Sequence, residues 1–192
     1  MRISLKTAPA TEPVTAATVR QLALPGVPAA LDAEIEAIIP TARQMIENEA
    51  NSGLITQSWY RWYDWHFPCR MELPWGPLQS ITAITYTDGN GDTQTLSTDI
   101  YTADPDGDPA AVFLAYNQVW PVTRCVQKAV RVEYVAGYGD DAVDVPEALR
   151  HAVAVMTAEL FNNREATAPV ALQQVPWGIK QLIGRYKRGR AV

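Results

Sequence analysis

Apolar positions along the chain keep a helical rhythm near both ends and a two-residue rhythm between them. The strongest helical stretch is at 146–163, where Leu149, Val153, Met156 and Leu160 recur at helical spacing. Ala152, Ala154, Val155, Ala158 and Phe161 widen that stripe until little polar face remains. A helix apolar nearly all round is buried on more than one side. At 1.5 Å per residue it spans about 27 Å, the width of a small domain. Asp144 is the expected N-cap, Pro146 suits the first turn and Glu147 puts negative charge at the positive end of the dipole. Near the N-terminus, Thr15 is placed to cap a short helix reaching Leu22 or Leu24, which Pro25-Gly26-Val27-Pro28 ends. A second helix is predicted over Asp32–Asn51, with Leu31, Ile35, Ile38, Ile39, Ala42, Met45 and Ile46 on its apolar face. Pro40 should kink or split it, and Ser52-Gly53 should stop it. Residues 1–13 read as extended.

From Leu54 the period becomes two. Trp59, Arg61, Tyr63, Trp65 and Phe67 fall on one face of a predicted long strand, and Tyr60, Trp62, Asp64 and His66 on the other. Further strands are predicted at Met71–Leu73, Ser80–Thr87, Thr93–Leu96, Ile100–Ala103, Ala111–Leu114 and Val130–Val135. Asp88-Gly89-Asn90-Gly91-Asp92 is a hairpin turn. After the long helix come a loop at 162–169 and a last helix, Trp177–Tyr186, with Ile179, Leu182, Ile183 and Tyr186 on one face. The expected class is therefore α+β. Residues 1–53 and 143–186 should form one helical bundle, 54–142 an inserted antiparallel β domain, and 187–192 a basic tail.

Charge sharpens this picture. The net charge is −5, yet Lys180, Arg185, Lys187, Arg188 and Arg190 crowd the last 13 residues, leaving 11 of the 16 bases against all 21 acids in 1–179, a net −10. An acidic body argues against broad phosphate contact. The basic end is either solvated or a docking peptide for an acidic partner, and the short amphipathic helix before it favours docking. No apolar run approaches membrane-spanning length, and the N-terminus lacks the apolar core of a secretory signal. Cys69 and Cys125 are too few for a metal signature and are expected to be buried or half-buried thiols.

Candidate chemistry is sparse. Asp88, Asn90, Asp92 and Asp99 have the spacing of a calcium loop. Thr93 stands where that loop needs glycine, and the flanks read as strands, so a plain hairpin is the better reading. Asp104, Asp106 and Asp108 read as a solvated loop. The two histidines, His66 and His151, have no nucleophile at suggestive spacing. GxSxG, HExxH, CxxC and phosphate-cradling glycine loops are all missing. No catalytic residue, cofactor or metal is expected. The aromatic strand has too many large rings for one core face. Either one face enters the core and the other is a wet amphipathic surface, or the strand is a subunit interface carried by Trp59, Trp62, Tyr63 and Trp65, or it stacks on sugars or bases.

Several longer strings are distinctive: "GLITQSW", "LPWGPLQSITAITYTDGNGDTQTL", "YVAGYGD…VPEALRHAV", "LFNNREA" and "PWGIKQLIGRYK". In this order they resemble the head–tail connector (adaptor) proteins of long-tailed bacteriophages and phage-like gene transfer agents, over roughly residues 7–186. None is a catalytic motif. The resemblance implies a ring, commonly of about twelve copies, beneath the portal at the vertex of a particle assembled in the bacterial cytoplasm. Such a ring extends the DNA channel, lets DNA pass without sequence-specific binding, and offers a platform to the next neck or tail component. Portal docking would then fall to Trp177, Ile179, Lys180, Leu182, Ile183, Arg185, Tyr186, Lys187, Arg188 and Arg190. Truncation after Ile179 should remove docking and leave the fold intact. A carbohydrate- or peptide-binding module using the Trp-rich β region is the alternative, with a small hydrolase of dispersed catalytic residues third.

Overall fold

The computed structural model describes residues 2–163 and 176–189, and the side chain of Trp177 lies outside that description. The fold is α+β, with four helices and two antiparallel sheets among the described residues. Two compact units share the chain. The helical one comprises 9–55 and 138–187, and the β one 1–8, 56–137 and 188–192. The division differs from the expected one at its ends. Residues 2–7, expected with the helices, form a strand, because their backbone groups find partners along the aromatic strand.

In the helical unit, α1 is Ala16–Ala23, α2 Asp32–Ala50, α3 Glu147–Asn162 and α4 Trp177–Ile183. Thr15 caps α1, its hydroxyl accepting from the Thr18 N–H at 3.2 Å. α2 runs unbroken through Pro40, so its apolar face outweighs the one lost backbone bond. Asn51, not Ser52-Gly53, ends it by adopting the left-handed conformation at φ 50°. α3 supplies the centre of the core, burying Leu149, Ala152, Val153, Ala154, Met156, Thr157, Ala158 and Phe161. Its expected cap is displaced. Asp144 belongs to a preceding 3-10 turn, where its carboxylate accepts from the Asp141 N–H, and Pro146 stands at the N-cap of α3. Proline fixes the extended backbone entering the helix, so the carboxylate is free to close the tighter turn.

The β unit has a sheet ordered β1 (Arg2–Thr7), β2 (Gln57–Tyr63), β8 (Val130–Ala136), β4 (Leu78–Thr87) and β5 (Thr93–Thr95). A second sheet is ordered β3 (Arg70–Leu73), β7 (Ala110–Leu114) and β6 (Tyr101–Asp104). Alternation decides which side chains enter the core. Trp59 on β2, Val130, Val132, Tyr134 and Ala136 on β8, Met71 and Leu73 on β3, and Ala110 and Val112 on β7 are buried in one cluster. The Tyr134 hydroxyl donates to the Pro74 carbonyl at 2.6 Å inside this core, and burial pushes its pKa far up. Tyr134→Phe leaves that carbonyl unpaired and should cost about 1–3 kcal/mol by thermal denaturation; an unchanged melt would show the bond contributes nothing.

Candidate functional site

The aromatic strand is shorter than its pattern predicts. β2 ends at Tyr63, and Trp65 takes φ 73°. Trp65 is tied to the loop before β8, its N–H donating to the Val126 carbonyl and its carbonyl accepting from the Thr123 hydroxyl. This break sends the proposed interface residues to different places. Trp59 is 9% exposed and stacks on Trp75 at 4.9 Å between ring centres. The Tyr63 hydroxyl donates to the Glu72 carbonyl at 2.6 Å, and burial pushes its pKa up to about 12. Both therefore serve the core of the β unit. Trp62 is half-buried on the opposite face, and Trp65 is 48% exposed. Arg61, also facing inward, is buried with its guanidinium 4.8 Å from the centre of the Tyr63 ring and its Nε unpartnered.

The outer face of β2 and β8 collects cations on aromatic rings. Lys6 lies 5.6 Å and Arg131 5.0 Å from the centre of the Tyr60 ring, and Lys128 5.2 Å from that of Trp62. Lys6 also pairs with Glu133, which raises its pKa mainly through that hydrogen bond, and Arg2 pairs with Asp64 at 3.2 Å. Lys128 and Arg131 have no acid partner among the described residues. Beside them is a shallow pocket of about 140 Å3 lined by Trp62, Thr85, Tyr86, Thr87, Thr93, Lys128, Ala129 and Arg131. Cations already cover these rings, which leaves a poor stacking platform for a sugar.

The loop from β7 to β8 escaped sequence reading. Tyr116 (99% exposed), Val119 (80%) and Val122 (83%) point to solvent. The loop is nevertheless anchored, because Trp120 stacks on Phe67 at 4.8 Å and the Arg124 N–H donates to the Thr87 carbonyl. Exposed apolar side chains on an anchored loop suit protein contact. The signal was present in the string "YNQVWPV", but exposure is not visible in a pattern without a clear period.

The proposed docking residues divide. Ile179 and Ile183 are 2% and 1% exposed within the helical core, and Tyr186 packs against it. They hold α4 in place and are not free for a partner. Lys180 is half-buried; Leu182 and Arg185 are exposed. Lys187 pairs with Glu49 at 2.9 Å. Arg188 lies against Gly76, and the Gly189 N–H donates to the Asp108 carboxylate at 2.6 Å. Arg190 and the side chain of Trp177 fall outside the described residues.

The remaining candidates are plain. Asp88 caps the β4–β5 hairpin, its Oδ1 accepting from the N–H groups of Asn90, Gly91 and Asp92, so it is the turn the pattern predicts. These bonds, with that from Gln94, lower its pKa. Cys69 and Cys125 are exposed, contrary to expectation, because both fall in loops outside the strands that face the core. Among the described residues no group of three or more His, Cys, Asp or Glu is placed to hold a metal ion, and no helix is long and apolar enough to cross a membrane.

No family model matches the sequence, and no curated protein matches it. Solved structures do match. A chain from the neck of an empty gene transfer agent (GTA) particle, computed with C6 symmetry, superposes with TM-score 0.79 at 22% identity, covering 100% of this chain and 98% of that one. Chains from the virion of a native GTA particle and from the neck of a native GTA particle, computed with C12 symmetry, give 0.76 and 0.75 at 21% identity, with the same coverage. The fold of this chain is the fold of those particle chains from end to end.

Proposed function

We propose that the protein is a structural neck component, a head–tail connector without enzymatic activity. It forms a ring beneath the portal of a phage or gene transfer agent particle. The carrying observation is the end-to-end fold match to chains of gene transfer agent necks, at TM-score 0.79. The C6 and C12 symmetries of the matched necks support a ring, with about twelve copies as the expected number. The acidic excess of residues 1–179 supports a channel wall on which DNA slides and does not stick. In this reading the exposed Leu182 and Arg185, with Lys180, meet the portal, and the anchored 116–122 loop meets a neighbouring copy or the next neck component.

Lys180→Glu with Arg185→Glu tests the docking surface without touching Ile179 or Ile183. The pair should leave the melting temperature nearly unchanged, as surface substitutions do, and cut recovery on portal complexes about tenfold or more. Electron microscopy of wild-type complexes should show a closed ring. A single copy per portal, or undiminished recovery of the double variant, would contradict the ring or the docking surface respectively.

A further inference from the structure

Charge is segregated within the β unit. Residues 80–123 hold Asp88, Asp92, Asp99, Asp104, Asp106 and Asp108 and no lysine or arginine. Next come Arg124, Lys128 and Arg131, and the side chains of the last two lie over Trp62 and Tyr60 and are held by no acid among the described residues. Lys128 is exposed and Arg131 half-buried, and both line the 140 Å3 pocket with the threonines Thr85, Thr87 and Thr93. A pocket combining two uncommitted cations with hydroxyl-bearing side chains is suited to a carboxylate. On the acidic side, two carboxylates are likewise uncommitted among the described residues, Asp92, next to Thr93 of the pocket itself, and Asp106 on the separate β6–β7 loop. Asp104 accepts from the Gly107 N–H and Asp108 from the Gly189 N–H, while Asp106, exposed between them, has no partner among the described residues.

A closed ring of identical copies requires two different, mutually complementary patches on each copy. We propose that the Lys128–Arg131 pocket is one half of that contact and receives the Asp104–Asp108 loop of the adjacent copy, with Asp106 as the inserted carboxylate. This inference rests on the ring reading and names the contact that closes it. The aromatic rings hold the two cations in place before association, which reduces the side-chain ordering lost on binding. The expected contact is salt-sensitive, because an exposed lysine takes part.

The test is a charge swap in the full-length chain, scored as ring recovery on portal complexes. Lys128→Glu alone and Asp106→Lys alone should each lower recovery about tenfold, and the two together should restore it to within about threefold of wild type. A second arm replaces Cys69 and Cys125 with serine, places cysteines at 105 and 127 beside the two retained charges, both positions exposed, and treats assembled complexes with a short bismaleimide. A ladder of linked chains supports the contact. If microscopy shows the ring but the swap does not restore it and no ladder forms, the contact is wrong and the ring stands. If microscopy shows no ring with wild-type protein, the underlying reading fails as well. If Lys128→Glu abolishes binding of a labelled single-stranded oligonucleotide and the swap restores nothing, the pocket takes phosphate, and the proposed occupant is overturned.

Discussion

Replacing Glu47 with alanine should destabilise the helical unit by about 3–5 kcal/mol, the range expected when one partner leaves a buried ion pair. Arg43 and Glu47 are 5% and 4% exposed. The Arg43 Nη1 donates to Glu47 Oε2 at 2.7 Å, its Nε donates to Glu12 at 2.8 Å, and Glu47 Oε1 accepts from the Leu54 N–H at 3.0 Å. One carboxylate thus joins α2 to the chain leaving it, and the arginine joins both to the segment before α1. Alanine would leave a buried guanidinium with one acid and a buried N–H with none. Glu47→Gln keeps an acceptor for Leu54 and should cost less than alanine. Urea denaturation followed by helical circular dichroism measures both. A loss below about 1 kcal/mol for alanine would mean that water reaches the site and compensates.

Truncation after Ile179 should unfold or severely weaken the same unit, reversing the expectation drawn from the basic tail. The cut removes Ile183, 1% exposed in the core around α3, with Tyr186 and the Lys187–Glu49 pair. Deleting a single large aliphatic side chain from a core costs about 2–5 kcal/mol, and here half of α4 goes with it. Ending the chain after Lys187 should cost far less, because the helical core keeps all its side chains. Loss of portal attachment after the cut at Ile179 therefore says nothing about docking, whereas the Lys180 and Arg185 reversals do. Equal melting temperatures for the two truncations would show that α4 contributes little to the core.

These two sites illustrate how function and folding share residues. Ile179 and Ile183 are on the apolar stripe that marked the last helix as a docking element, and the same stripe is what the helical core uses. An apolar face does not state whether its partner belongs to the same chain. The aromatic strand posed the same ambiguity. Trp59 and Tyr63 were grouped with Trp62 and Trp65 because all are large and close in sequence, yet alternation puts the first two in the core. A positive φ at Trp65 then ends the periodicity.

Local pattern was sufficient for the elements. The 3.6-residue period of α2 and α3, the two-residue period of β2, β4 and β8, and the Asp-Gly-Asn-Gly-Asp turn each depend on residues a few positions apart, and all are present in the structure. It was sufficient too for the α+β class, the fold that the solved neck chains share. Only tertiary packing decided that Arg2–Thr7 is a strand, that α4 is core, and that Lys128 and Arg131 lack acids among the described residues while Lys6 and Arg2 have them. The pairs that neutralise Arg2 and Lys6 join residues 62 and 127 positions apart. Periodicity records how a side chain lies on its own element. Which charge is neutralised depends on distances that exist only once the distant strands have paired.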